Sequence, residues 1–253
     1  MLPSGPFSPS GRRLLPSRGA LKTKASALAL AFFASGPALS QSPVPSPTPV
    51  PPAELVGKVE LAAASGEKTV APGSVVWIPG LPGARSGRTP TMSSAQKRFA
   101  PHVIAVAQGS TVTFPNLDKV FHNVFSRTAG SEFDLGLYRN GASRSVKFAK
   151  PGVVRVYCNI HPDMAGYVHV LGDSAFTTTD ETGAFRLSGL PPGRRLVRVW
   201  DEKGGEKEFP VELEPGRRRT LNVVLDGSGY RRVQHKNKFG REYPPVTRDV
   251  DRY

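Results

Sequence analysis

Turn-forming residues recur so often in this chain that no long helix has room to form. Its 253 residues include 26 glycines and 25 prolines, about a fifth of the total, and no stretch carries a long apolar repeat of helical period. Short Val-rich runs lie between the turns, the pattern of half-buried strands. The chain is therefore expected to be all-β, with length for one large or two modest domains.

The first forty residues read as an export signal. Arg12, Arg13, Arg18, Lys22 and Lys24 precede an apolar run from Ala25 to Ala34, and Ala38-Leu39-Ser40 offers small residues for cleavage before Gln41. The run is too short to span a bilayer. The basic stretch before it is long, which leaves open a loose twin-arginine signal at Arg12-Arg13 or a start further downstream. No cysteine near the cleavage point suggests a lipid anchor. Removing those five basic residues takes the formal charge from +14 to +9. An exported chain this basic is expected to meet acidic protein faces or anionic envelope surfaces, not nucleic acid.

Residues 41–53 alternate proline with Ser, Val and Thr, as a polyproline-II-like linker does. Strands are expected over Leu55–Leu61 and Ser74–Pro79, then a long loop from Gly80 to Ser94. Six more fall at Val103–Val106, Thr111–Phe114, His122–Ser126, Ser145–Phe148, Val153–Cys158 and Tyr167–Leu171, a density that suggests a Greek-key sandwich. Turns about ten residues apart then separate strands near Ala184–Leu187, Leu196–Trp200, Glu208–Leu213 and Thr220–Leu225. The expected division is 54–172 and 173–226, with 54–80 open to either half. Residues 227–253 form a basic tail that Tyr230, Phe239 and Tyr243 could lay across the domains.

The chain has one cysteine, so in an oxidising compartment it has no intramolecular disulfide partner. Cys158 lies three residues before His161, which lies three before Met164, and His122 follows an apolar run upstream. One thiolate, two imidazoles and a thioether are the donor set of a mononuclear blue-copper electron-transfer site. In extended chain the loop donors would stand roughly 10 Å apart, so the segment must curl. Val154, Val156 and Cys158 alternate on one strand face, Pro162 cannot continue a ladder, and Gly166 allows a turn into the returning strand. Zinc is the inorganic rival, disfavoured by the thioether.

From Phe99 to Leu171 the chain resembles the cupredoxins. The residues that carry the likeness are Phe99-Ala100-Pro101, Gly109 through Phe114, Asn116, His122-Asn123-Val124, Pro151-Gly152 and Cys158 through Gly166. The ligand loop is closest to the amicyanin type. The resemblance implies copper on His122, Cys158, His161 and Met164, with Asn123 tying the two ligand segments together. Asn159-Ile160 and Asp163 depart from the usual loop and leave the potential and docking surface open. Thr179–Leu187, continuing through Trp200, resembles a carboxypeptidase-regulatory or transthyretin-like β-sandwich. The fold expected is thus a Greek-key cupredoxin sandwich plus a second, smaller β-sandwich.

The implied function is an exported, periplasmic, monomeric carrier that cycles one copper between Cu(II) and Cu(I) by outer-sphere transfer to a redox partner. It is expected not to be an enzyme, since a nitrite reductase or multicopper oxidase needs further His clusters. Copper delivery and a structural envelope role are the alternatives. His102, His169 and His235 are read as surface, packing and tail residues, Met92 as a loop residue, and Trp77 and Trp200 as core anchors.

Overall fold

The structure is a computed structural model that describes residues 49–81, 89–232 and 234–243. The export signal, residues 41–48 of the proline-rich linker and residues 82–88 of the expected Gly80–Ser94 loop lie outside the described residues. All regular structure among the described residues is strand.

Three strands come first, β1 (Ala53–Ala62), β2 (Lys68–Val70) and β3 (Val75–Pro79). Nine follow: β4 (Ser93–Ala95), β5 (Arg98–Ala100), β6 (Val103–Ala107), β7 (Thr111–Pro115), β8 (His122–Ser126), β9 (Phe133–Tyr138), β10 (Ser143–Lys147), β11 (Gly152–Tyr157) and β12 (Ala165–Leu171). The last six are β13 (Ser174–Thr178), β14 (Ala184–Leu190), β15 (Gly193–Asp201), β16 (Gly205–Leu213), β17 (Arg218–Thr220) and β18 (Val223–Asp226). Most expected strands are present within two or three residues. β2, β4, β5, β9 and β13 are additions, and the expected Thr220–Leu225 strand is divided between β17 and β18. Gly136, at φ 66°, breaks the alternation of β9, whose pairing with β8 also shifts register between Asn123 and Phe125. β13 is polar at both ends and carries no Val-rich signal.

One five-stranded sheet runs β6-β12-β11-β8-β9, and β10-β7 forms a second layer. Isolated bridges Thr91↔Thr113 and Ser94↔Asn116 join the β4 segment to β7. Between the layers lies a core that includes Phe99, Val112, Phe114, Val124, Phe148, Val154, Val156 and Val168, with Cys158 and Met164 in the same cluster. Alternation places these side chains inward, since successive strand residues face opposite ways.

β1 and β3 pair with the C-terminal strands. β1 is antiparallel to β14 and parallel to β17 and β18, while β3 lies between β13 and β15. Their core holds Leu55, Val59, Ile78, Phe185, Val197, Val199, Leu213 and Leu225. Gly57 marks the point where the chain passes from β17 to β18 across β1. A Cβ there would stand 1.8 Å from the Leu221 carbonyl oxygen, so no larger residue fits without moving backbone. A third cluster, Val75, Trp77, Val103 and Leu171, joins the two regions, so Trp77 is a core anchor as expected.

Gly166 is not the expected turn residue. It lies within β12, paired with Val156, and its Cβ position is crowded by the His102 carbonyl oxygen at 3.1 Å and Met92 Sδ at 3.3 Å. Close packing therefore explains the glycine here. Met92, expected as a residue of the long loop, is fully buried beside it.

Candidate metal centre

Cys158 follows β11 directly, and the loop from Cys158 to Met164 closes on itself. The Met164 N–H donates to the His161 carbonyl at 3.0 Å, and the Cys158 N–H donates to the Met164 carbonyl at 3.1 Å. This tight return brings the three loop residues together despite their spacing. His122 opens β8, and β8 pairs with β11 through Phe125 and Tyr157, which sets it beside Cys158.

Three donor atoms converge. His122 Nδ1 lies 3.8 Å from Cys158 Sγ and His161 Nδ1 lies 3.4 Å from it, and one ligand atom from each residue falls within 4.8 Å of the others. Two bonds of about 2.0–2.3 Å to a shared ion span such separations. His122 and Cys158 are fully buried, Met164 is 1% exposed and His161 is half-buried. Met164 therefore occupies the core side of the loop and His161 the solvent side.

Asp118, to which the sequence reading gives no role, holds the first imidazole. His122 Nε2 donates to Asp118 Oδ2 at 2.8 Å, leaving Nδ1 toward the sulfur. A carboxylate on the far ring nitrogen is the usual companion of a metal-bound histidine. Asp118 is itself fixed by the N–H groups of Gln96 and Lys97, at 2.6 and 2.8 Å, from a turn whose two φ angles are positive. Buried Asn116 shapes the same loop, accepting from the Asp118 N–H at 3.0 Å and donating to the Val120 carbonyl at 2.8 Å. An acid four residues before the first histidine, in an Asn-Leu-Asp turn, is the signal by which sequence alone could find it.

Burial acts on each titratable group. It pushes the Cys158 thiol up, opposed by the backbone N–H groups of Asn123, Ile160 and His161 directed at the sulfur. It pushes the His122 imidazole down, against the pull of Asp118. Burial would raise Asp118, but the Lys97 N–H, the His122 ring and the Gln96 N–H hold its carboxyl below the usual range. A neutral imidazole and N–H groups waiting on a sulfur suit a metal that binds thiolate and displaces its proton.

Asn123, expected to tie the two ligand segments together, divides its contacts between Cys158 and Asp134. Its backbone N–H faces Cys158, while its side-chain Nδ2 donates to Asp134 Oδ1 at 2.6 Å. The side-chain Oδ1 is buried without a hydrogen-bond partner.

A family model described as copper binding proteins of the plastocyanin/azurin family matches residues 89–171. Amicyanin-alpha of Methylorubrum extorquens is 33% identical over 113 residues, covering 44% of this chain and 92% of that protein. The chain belongs to the plastocyanin/azurin family of copper-binding proteins. The family binds copper, and the donor set described above fits that metal.

Similar solved structures include an amicyanin variant in its reduced Cu(I) form, 25% identical with a TM-score of 0.31, covering 35% of this chain and 86% of that one. A purple cupredoxin from Nitrosopumilus maritimus is 24% identical with a TM-score of 0.29, covering 32% of this chain and 99% of that one. A Cu-containing nitrite reductase from Thermus scotoductus is 25% identical with a TM-score of 0.32, covering 35% of this chain and 23% of that one. With a copper enzyme among the similar structures, the expectation that the chain is not an enzyme is withdrawn, and this likeness assigns no activity in its place. The family match ends at Leu171, so β13–β18 take no family from it.

The remaining histidines fall into place. His102 Nε2 bonds Glu202 at 2.6 Å on the surface, and buried His169 packs edge-on to Trp77 and Trp200. His235 stacks on Tyr157 with ring centroids 4.3 Å apart. No described helix is long and apolar enough to cross a membrane.

Proposed function

We propose that this cupredoxin carries single electrons between redox proteins, with His122, Cys158, His161 and Met164 holding one copper ion. The convergence of both Nδ1 atoms on the buried Cys158 sulfur supports this most directly. Copper, when bound, supplies a reversible one-electron change. Asp118 fixes the His122 ring, and three backbone N–H groups receive the Cys158 charge. The closed Cys158–Met164 loop limits ligand movement between oxidation states. His161, the least buried of the four, offers the electron its shortest way to a partner.

The partner is a redox protein with an acidic docking face, suited to an exported chain whose formal charge is +9 once the five basic residues of the signal are removed. The protein acts as an exported, periplasmic monomer. β1 and β3 belong with β13–β18 in a carboxypeptidase-regulatory-like sandwich, and the copper sandwich β4–β12 is inserted between them. Residues 234–243, in the basic tail, are part of the copper sandwich's surface.

Copper titration followed by visible absorption and EPR tests the proposal. One copper per chain, with an intense thiolate charge-transfer band that Cys158→Ser abolishes, is expected. Retention of that band in Cys158→Ser would place the site elsewhere.

A further inference from the structure

Residues 234–243 fold back over the ligand loop. A turn at Asn237 sets its course: Asn237 Oδ1 accepts from the Phe239 and Arg241 N–H groups, and the Gly240 N–H donates to the Asn237 carbonyl. That turn returns Tyr243 to His235, with ring centroids 5.3 Å apart. From there the Tyr243 hydroxyl donates to the Cys158 carbonyl at 2.8 Å. The Lys238 N–H donates to Asn159 Oδ1 at 2.9 Å, and Arg232 Nη2 reaches the Asp163 carbonyl at 3.3 Å. Within one seven-residue loop, Cys158 and Asn159 are thus tied to residues 238–243 and Asp163 to Arg232.

A second tie reaches the other ligand segment. Lys238 Nζ lies 2.7 Å from Asp134 Oδ2, and Asp134 Oδ1 accepts from the Asn123 side chain at 2.6 Å. Asn123 follows His122 and turns its backbone N–H toward the Cys158 sulfur. Arg127, just beyond β8, donates to the Lys238 carbonyl at 2.5 Å. Lys238 therefore contacts the Cys158–Met164 loop on one side and the His122–Asn123 segment, through Asp134, on the other. His235, flat on Tyr157, fills the space beside them.

We infer that residues 234–243 form a strap that fixes the metal-ligand loop, with Lys238 and Tyr243 as positioning residues that act through Asn159, Asp134 and the Cys158 carbonyl. The strap's role rests on the proposed ligand set. Neither residue touches a ligand donor atom. Each instead restrains backbone on which a donor is carried, and so limits how far the loop can open. Restraint of this kind lowers the movement available to the ligands and holds solvent away from the sulfur. Of the aromatic residues expected to lay the tail down, Tyr230 bonds Glu202 at 2.8 Å and Tyr243 bonds Cys158, but Phe239 is 70% exposed and contributes no anchor.

The test uses the full chain and the variants Tyr243→Phe and Lys238→Met, which keep bulk and remove one contact each. In the metal-free protein, iodoacetamide modification of Cys158 should quicken by about three- to tenfold in each variant, the worth of one net hydrogen bond. Hydrogen exchange should accelerate in the Asn159–Met164 amides and not in those of β6–β12. With copper bound, the charge-transfer band or the midpoint potential should move, and Phe239→Ala should change none of these. Modification rates within twofold of wild type, or exchange that quickens equally throughout the sandwich, would overturn the strap. If the wild-type chain binds no copper, the ligand assignment fails, while the modification rates still decide the strap.

Discussion

Asp118 Oδ2 sits 2.8 Å from His122 Nε2, and this contact decides which ring nitrogen faces Cys158. A carboxylate can only accept there, so the imidazole proton stays on Nε2 and Nδ1 keeps its lone pair for a metal. Asp118→Ala would leave Nε2 without that acceptor and free the proton to move to Nδ1. Copper affinity should fall by about 10- to 100-fold, as expected for loss of a ligand's hydrogen-bond partner. Competition with a Cu(I) chelator measures it. A change below threefold would mean that Asp118 does not set the tautomer.

Met164 is buried on the core side of the loop, within the cluster that includes Val156 and Phe114. Met164→Leu should keep copper and colour while raising the midpoint potential, because an apolar replacement disfavours the more highly charged Cu(II). Voltammetry and Cu(I) affinity should be read together. A collapse in Cu(I) affinity with no rise in potential would point to copper delivery.

His169 should make the metal-free protein less stable as pH falls. Burial between Trp77 and Trp200 brings its pKa down to about 4, and its Nδ1 has no hydrogen-bond partner. The unfolded chain takes the proton near pH 6.5, whereas the folded chain resists until about pH 4, so stability drops across that window. The loss between pH 7 and 4.5 should be about 2 kcal/mol. Urea unfolding of wild type and His169→Phe should show the slope shrinking in the variant. Parallel slopes would assign the pH dependence to other groups.

Gly57→Ala should destabilise the sheet built on β1 by about 3 kcal/mol, since the new Cβ meets the Leu221 carbonyl oxygen. Thermal unfolding checks this. If the two sandwiches are separable, the copper band should outlast the first transition in this variant. A single coincident transition would count against that division.

Local chemistry made much of the protein legible in its sequence. Glycine and proline punctuation excluded long helices, and alternation placed Val154, Val156 and Cys158 on one inward face, as observed. The Cys158, His161 and Met164 spacing with Pro162 required a closed loop, because extended chain could not bring those donors together. Partners distant in sequence left no such trace. β1 and β3 pair with strands about a hundred residues later or more, and only the assembled sheets show it. Gly166 looked like a turn because sequence does not reveal that Met92 and the His102 carbonyl crowd it. Tyr243 reads as one aromatic in a basic tail until folding sets its hydroxyl on the Cys158 carbonyl, 85 residues away. Periodicity and donor type are properties of short segments, so the sequence by itself determined most strands, the turns and the candidate donors. Contacts closed across long loops depend on the packing of whole sheets, and tertiary structure alone decided Asp118, the strand pairing and the strap.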